Sequence, residues 1–257
     1  MIISMSPYLT KSLFQRTHPL FRQLNCSLAT MAEDVFLYWA SGSVPCWKAM
    51  LALEEKGFSR YKNKMISFDK KEEKSPEILK LNPRGQVPTF THGTIVVNES
   101  SAICEYLEST FKEKGTQLVP SGRNERALVL QRMYEADTNL MQKMLLDFLY
   151  YFFDTEKMDM DPATFSKKTK SLKEELDRWD GYLGQTGAFI AGPNFTMADV
   201  YFFPFVGFGV WLGLGLDKFP NLKAYYERAC TRPSVKATWP PDWKENKSSM
   251  TPLAGHL

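Results

Sequence analysis

Histidine is scarce in this chain. Its 257 residues hold three, His18, His92 and His256, and they are scattered. That argues against a histidine-built metal centre and against a Cys/His catalytic dyad. The four cysteines, Cys26, Cys46, Cys104 and Cys230, lie far apart, without the close pairing of a metal site or a redox C-x-x-C. They read as reduced thiols of an intracellular protein. No apolar run is long enough to form a bilayer-spanning helix. A net charge of +3 is too small to point to nucleic acid. There are no internal repeats and no low-complexity segments. Residues 1–30 lack Asp and Glu altogether, yet include Lys11, Arg16, Arg22 and several serines. That is the composition of a mitochondrial transit peptide, and equally of an upstream extension to a chain starting at Met31. The second expectation is slightly favoured, and both place residues 1–30 outside the fold.

What is present is a globular composition, 44% hydrophobic and 24% charged, at a length that suits two modest domains. Residues 35–39 (VFLYW) read as a buried strand. Pro45 suits the first position of a helix, Trp47, Met50, Leu51 and Leu53 continue it, and Gly57 ends it. Residues 63–68 alternate like a second strand. Ser75-Pro76-Glu77 opens a short helix to about Leu81, and Asn82-Pro83 stops it. Strands at 88–91 and 94–97 flank a His92-Gly93 turn. Glu99-Ser100-Ser101 opens a helix with Ile103, Tyr106 and Leu107 on one face.

Past Pro120 the strand signals vanish. Residues 124–153 and 163–185 read as long helices, the second with Leu172, Leu176, Trp179 and Leu183 on one stripe. Thr196 and Asp199 form a capping box, with Phe195 placed as a hydrophobic staple, and a further helix spans 221–231. The expected organisation is an extension at 1–30, an α/β domain at 31–113 and a linker at 114–123. An all-α domain follows at 124–257, ending in a C-terminal tail.

The segment Ser41-Gly-Ser43-Val-Pro-Cys46 carries three readings: a cysteine redox site, a serine nucleophile, or a capped helix. In a redox helix the nucleophilic cysteine stands first, where this chain has Ser43. Cys46 holds the second, buried place and reads as a packed small residue. Ser43 has no histidine or carboxylate near it in sequence to act as its base. Hydrogen-bond donation is the functional role left to it, at a helix N-terminus whose free N–H groups favour an anion. The competing reading is that Ser43 or Ser41 merely caps the helix.

The order β-α-β-α-β-β-α with an active loop-to-helix segment is the thioredoxin-like arrangement. Together with NPRGQVP, Glu99-Ser100 and the TMAD helix start, the chain closely resembles the cytosolic glutathione transferases from residue 35 to about 243. SGSVPCW, LEEKGF, NPRGQVP and YYERACTRPSVKATWPPDW look most like the rho class. The resemblance implies conjugation of glutathione to hydrophobic electrophiles, with the Ser43 hydroxyl stabilising the glutathione thiolate, Ser41 in reserve and Tyr38 third. It implies a cis Val87–Pro88 bond, with Val87 and Gln86 beside the cysteinyl backbone of glutathione. It also implies Ser100 at the glutamyl carboxylate and Glu99 at the glutamyl ammonium.

One position departs from the family. Glu73 stands where relatives often place His or Gln against the glycine carboxylate, so Lys74, Lys70 or Lys71 is the expected contact, with Lys74 preferred. A solvated surface is the competing reading of that run. The resemblance further implies glutathione as cosubstrate with no cofactor and no metal, a cytoplasmic homodimer, and no nucleic-acid or membrane partner. Asp137 is a weaker candidate for reaching a neighbouring subunit's site. The acceptor site is expected between the domains, near 134–152 and Trp211, with most of Tyr150, Tyr151, Phe152 and Phe153 in the core. A glutathione-dependent peroxidase or isomerase, or a non-catalytic binding module, are the alternatives.

Overall fold

The computed structural model describes residues 34–154, 161–245 and 251–257, and the extension expected at 1–30 lies outside them. Strand β1 (Val35–Trp39) leads through a glycine turn into helix α1 (Val44–Glu55). Then come β2 (Lys62–Met65), a 3-10 turn (Glu72–Lys74), α2 (Pro76–Leu81), β3 (Thr89–His92), β4 (Ile95–Val97) and α3 (Ser100–Thr110). The sheet order is β2-β1-β3-β4. β1 and β2 pair in parallel, because α1 carries the chain back between them. β3 pairs antiparallel with both β1 and β4. This is the thioredoxin-like α/β arrangement.

Two expectations need correction here. β2 stops at Met65 and all four of its residues are exposed, as suits an edge strand. The alternation that continues to residue 68 instead delivers Ile66 to a small core with Tyr38, Ala40 and Ile78. The hairpin turn is Gly93-Thr94, one residue later than expected, because His92 pairs with Ile95. Gly93 supplies the positive φ, +57°, that the first turn position requires.

The rest is helical: α4 (Arg123–Glu135), two π-helical stretches (Ala136–Leu140 and Gln142–Leu149), α5 (Tyr150–Asp154), α6 (Pro162–Thr186), α7 (Met197–Trp211), α8 (Pro220–Cys230), α9 (Pro233–Thr238) and α10 (Pro241–Glu245). The π stretches have a cause in sequence. The buried side chains Ala136, Leu140, Met144 and Phe148 recur every four residues. A 3.6-residue turn would carry them slowly round the helix, and a wider turn keeps them on one face. Helix α7 is buried from Met197 through Gly207 and is apolar on every face apart from Asp199 in its first turn.

The two halves share one core. Trp47 of α1 packs edge-on against Phe203 of α7, with ring centroids 5.4 Å apart. A Cβ at Gly207 would stand 2.7 Å from the Trp47 ring, so only glycine lets the helices approach there. Residues 111–122 form no helix or strand, yet Leu118 and Val119 are buried between the halves. Asp199 is fully buried and accepts from the Ile190 N–H (3.0 Å), the Thr196 N–H (2.8 Å) and the Thr196 hydroxyl (3.1 Å).

Candidate active site

Ser43 is the N-cap of α1. Its Oγ accepts from the Cys46 N–H at 3.4 Å. The proton of that hydroxyl remains available to a partner, so capping and donation do not compete. Cys46 is fully buried, and burial pushes its thiol up to about 11. A thiol of that kind is neither nucleophile nor redox partner at neutral pH. The Ser41 Oγ is buried and has no hydrogen-bond partner among the described residues. Tyr38 is occupied elsewhere. Its hydroxyl donates to Glu77 Oε1 at 2.8 Å, and Lys64 holds the other oxygen of Glu77. Burial, with Glu77 adding to it, pushes the Tyr38 hydroxyl up to about 12.

The Val87–Pro88 bond is cis. Val87 is half-buried, Gln86 is exposed, and both lie before the β3 ladder, which begins at Thr89. A buried residue that sequence reasoning took only as a helix stop organises this loop. Asn82 donates through Nδ2 to the Gln86 carbonyl (2.9 Å) and accepts at Oδ1 from the Arg84 N–H (3.1 Å). Nothing in the local pattern marked it beyond its place before Pro83.

Lys74 closes the same loop from outside. Its ammonium donates to the carbonyls of Arg84 (2.9 Å) and Gly85 (2.8 Å), which leaves one of three N–H bonds for another partner. Gly85 has φ +57°, and a Cβ there would stand 2.7 Å from the Lys74 side chain. Glu73 is half-buried, and its Oε2 has no partner among the described residues. The run 70–74 is therefore more than a solvated surface, since one of its lysines is tied to the turn before Gln86.

Glu99 is exposed at the N-cap position of α3 and makes no capping bond, while Ser100 is 9% exposed at the first turn. Free N–H groups of that helix start lie beside both. Immediately behind them Ser101 donates to Asp137 Oδ2, and Lys48 of α1 holds Asp137 Oδ1 at 2.5 Å. Each oxygen of Asp137 thus has a partner within this chain. The Lys48 ammonium also lies over the Tyr201 ring, 4.7 Å from its centroid.

The aromatic expectation fails in part. Tyr150 is 54% exposed, and Tyr151 and Phe152 are half-buried, so none of these three is core. Their short helix continues the π stretch at the surface, and the Phe153 side chain lies outside the described residues. Trp211 does sit in an aromatic stack. Its ring lies nearly parallel to that of Trp243 at 4.8 Å, and Phe208 stacks on both. Trp243, missed from the periodicity, rests against Gly42, where a Cβ would stand 3.4 Å from its Nε1. Among the described residues no group of three His, Cys, Asp or Glu side chains could hold a metal. No described helix is long and apolar enough to cross a membrane.

Comparison with known proteins bears on what this arrangement does. Residues 33–109 match the family model "Glutathione S-transferase, N-terminal domain", and residues 141–233 match the corresponding C-terminal domain. Glutathione S-transferase A of Pleuronectes platessa is 45% identical, over 87% of this chain and 99% of its own length. A probable glutathione S-transferase of Oryza sativa subsp. japonica is 30% identical over 74% of this chain and 88% of its own. The crystal structure of a glutathione S-transferase from the Antarctic clam Laternula elliptica superposes with a TM-score of 0.81 at 46% identity, covering 88% of this chain and all of that one.

Proposed function

The chain belongs to the cytosolic glutathione S-transferase superfamily and is a glutathione transferase, and from that premise we propose that it conjugates glutathione to hydrophobic electrophiles with Ser43 stabilising the thiolate. One observation carries this reading. Of the side chains that could meet the sulfur, Cys46 is sealed in the core and Tyr38 is bonded to Glu77, while Ser43 stands at the start of α1 with its proton free. In the step proposed, the glutathione thiol loses its proton to solvent. The Ser43 hydroxyl and the positive end of α1 lower the energy of the resulting thiolate. The sulfur then attacks the electrophilic carbon, a C–S bond forms, and on a haloarene the halide leaves with the bonding electrons.

Around that sulfur the remaining contacts are proposed as follows. The loop of exposed Gln86, half-buried Val87 and buried cis Pro88 offers the Val87 backbone to the cysteinyl backbone, like a short added strand. Ser100 and its helix start receive the glutamyl carboxylate, and Glu99 the ammonium. Lys74 uses its third N–H on the glycine carboxylate, and Ser41 is the reserve donor. The binding unit is taken as 31–113, joined by 114–123 to the helical unit. The strings SGSVPCW and LEEKGF support a place in the rho class. A cytoplasmic homodimer is the proposed state, testable by light scattering.

The decisive experiment is retention on immobilised glutathione together with turnover of a chloronitrobenzene acceptor. Ser43→Ala is expected to bind glutathione normally and lose roughly one to three decades of turnover. Retained turnover in that variant would move the role to Ser41.

A further inference from the structure

Helix α1 begins at the Ser43 cap and ends at Glu55, and one remote segment meets it from end to end. Arg232 forks onto the Glu55 carboxylate, with Nη2 at 2.8 Å from each oxygen, and Ser234 donates to the same group. Four residues on, Thr238 Oγ1 accepts from Trp47 Nε1 at 2.9 Å. Trp239 and Trp243 then stand edge-on to the Trp47 ring, at 5.3 and 5.4 Å. Last in the series, the Trp243 indole lies against Gly42, one residue before Ser43. Residues 232, 234, 238 and 243 therefore meet 55, 55, 47 and 42 in order, so the segment runs antiparallel to α1.

We propose that Trp243 is a positioning residue for the thiolate site: its ring, held against Gly42, fixes the Ser41–Gly42–Ser43 turn and so aims the Ser43 hydroxyl. The proposal rests on the reading of Ser43 given above. Two features of the turn make outside packing decisive. The turn needs φ +73° at Gly42, a glycine conformation, and glycine has no side chain to hold the loop. The local bonds are long: the Ser43 N–H meets the Ala40 carbonyl at 3.3 Å, and Ser43 Oγ meets the Cys46 N–H at 3.4 Å. Trp243, by contrast, is clamped. Trp47 meets its edge, and Trp211 and Phe208 lie within 19° of its plane. A donor that must point at a developing charge gains from such a backing, because its effect falls steeply with misplacement.

The same ring could serve only as a wall for the acceptor. The two roles separate in time, since a positioning effect exists before any acceptor arrives. The test uses the full chain and glutathione alone. The thiol pKa in the binary complex is read from thiolate absorbance for wild type, Trp243→Ala and Trp243→Phe, followed by kcat and both KM values across pH. Trp243→Ala is expected to raise the bound thiol pKa by roughly half to one unit and lower kcat near neutrality by roughly three- to tenfold. The deficit should shrink at high pH, where glutathione ionises unaided, with the glutathione KM little changed. Trp243→Phe, which keeps a flat ring over Gly42, should recover most of the loss.

An unchanged thiol pKa in Trp243→Ala, with the defect confined to the acceptor KM, overturns the proposal in favour of a wall. If Trp243→Ala does not fold, Trp243→Leu keeps apolar bulk without the planar ring, and an unchanged pKa there overturns it equally. Absence of thiolate in the wild-type complex itself would overturn the reading of Ser43, and this proposal with it.

Discussion

Lys48 Nζ stands 2.5 Å from Asp137 Oδ1, although one residue belongs to the α/β half and the other to the first π-helical stretch. The lysine side chain is 4% exposed and the aspartate 20%. A buried pair of this kind adds little against an apolar replacement, but removing one partner strands a charge. Asp137→Ala leaves the more buried group, Lys48, unpaired, and takes the Ser101 bond as well. It is expected to cost about 3 kcal/mol in urea unfolding, the low end for a one-sided deletion because the aspartate is partly wet. Lys48→Met should cost less, and the double variant less than the sum. Additive losses would show that the pair is not coupled.

Asp199 is expected to give the protein a pH-dependent weakness. Burial raises its carboxyl from 3.8 to about 6, against the lowering effect of the N–H groups of Ile190 and Thr196. The folded state thus holds a proton more tightly than the unfolded one. This group's contribution is best below pH 4 and declines as pH rises from about 4 to about 6. Asp199→Asn removes the titration but presents an amide where three donors converge, so it should be less stable at every pH. Subtracting its unfolding free energies from those of the wild type should leave a difference that falls across that window. A flat difference would mean that the carboxyl titrates alike in both states. Turnover per folded molecule should be unaffected.

The cysteines yield a chemical test. Cys46 and Cys104 are fully buried, with thiols raised to about 11 and about 12 by burial. Neither should react with a thiol reagent in the folded protein, while half-buried Cys230 should react slowly. Cys46→Ala is expected to keep the pH–rate profile and cost about 1–2 kcal/mol of packing. Loss of activity in a stable Cys46→Ala variant would return the redox reading to the table.

The short apolar run VFLYW, the proline and glycine marking α1, and the capping box at Thr196 made the element order legible, because each is a local signal. The hairpin was displaced by one residue, since Gly93 marks a turn without saying whether it comes first or second. The π stretch escaped notice because a spacing of four is read by habit as helical. At the candidate site, the Ser43 cap is written in its neighbours, and the cis bond at Pro88 was legible only through family resemblance. Lys48–Asp137, Asn82 and Trp243 were not legible. Each acts on a partner distant in the chain or across a tight turn, and pattern reading along one strand or helix does not see such pairs.

Lys74 and Glu73 separate two ways of holding the glycine end of glutathione. The Lys74 ammonium is already bonded to the Arg84 and Gly85 carbonyls, so its removal should loosen the turn that leads into Gln86 and Val87. Lys74→Ala should therefore raise the glutathione KM whether or not the ammonium touches the ligand, with kcat nearly unchanged, the mark of lost uniform binding. Salt distinguishes the two cases. A direct contact between an exposed ammonium and a carboxylate weakens with ionic strength, so the wild-type advantage over Lys74→Ala should shrink as salt is raised. A purely structural clamp on two carbonyls would keep its advantage. Glu73 supplies the control. Its Oε2 is buried without a partner among the described residues, and an anion facing the glycine carboxylate would repel it. Tighter glutathione binding by Glu73→Gln, greatest at low salt, would place Glu73 at the ligand, whereas with Lys74 as the contact Glu73→Gln is expected to change almost nothing. If Glu73→Gln has no effect and the Lys74→Ala defect is indifferent to salt, neither side chain meets the ligand, and the contact passes to Lys70 or Lys71.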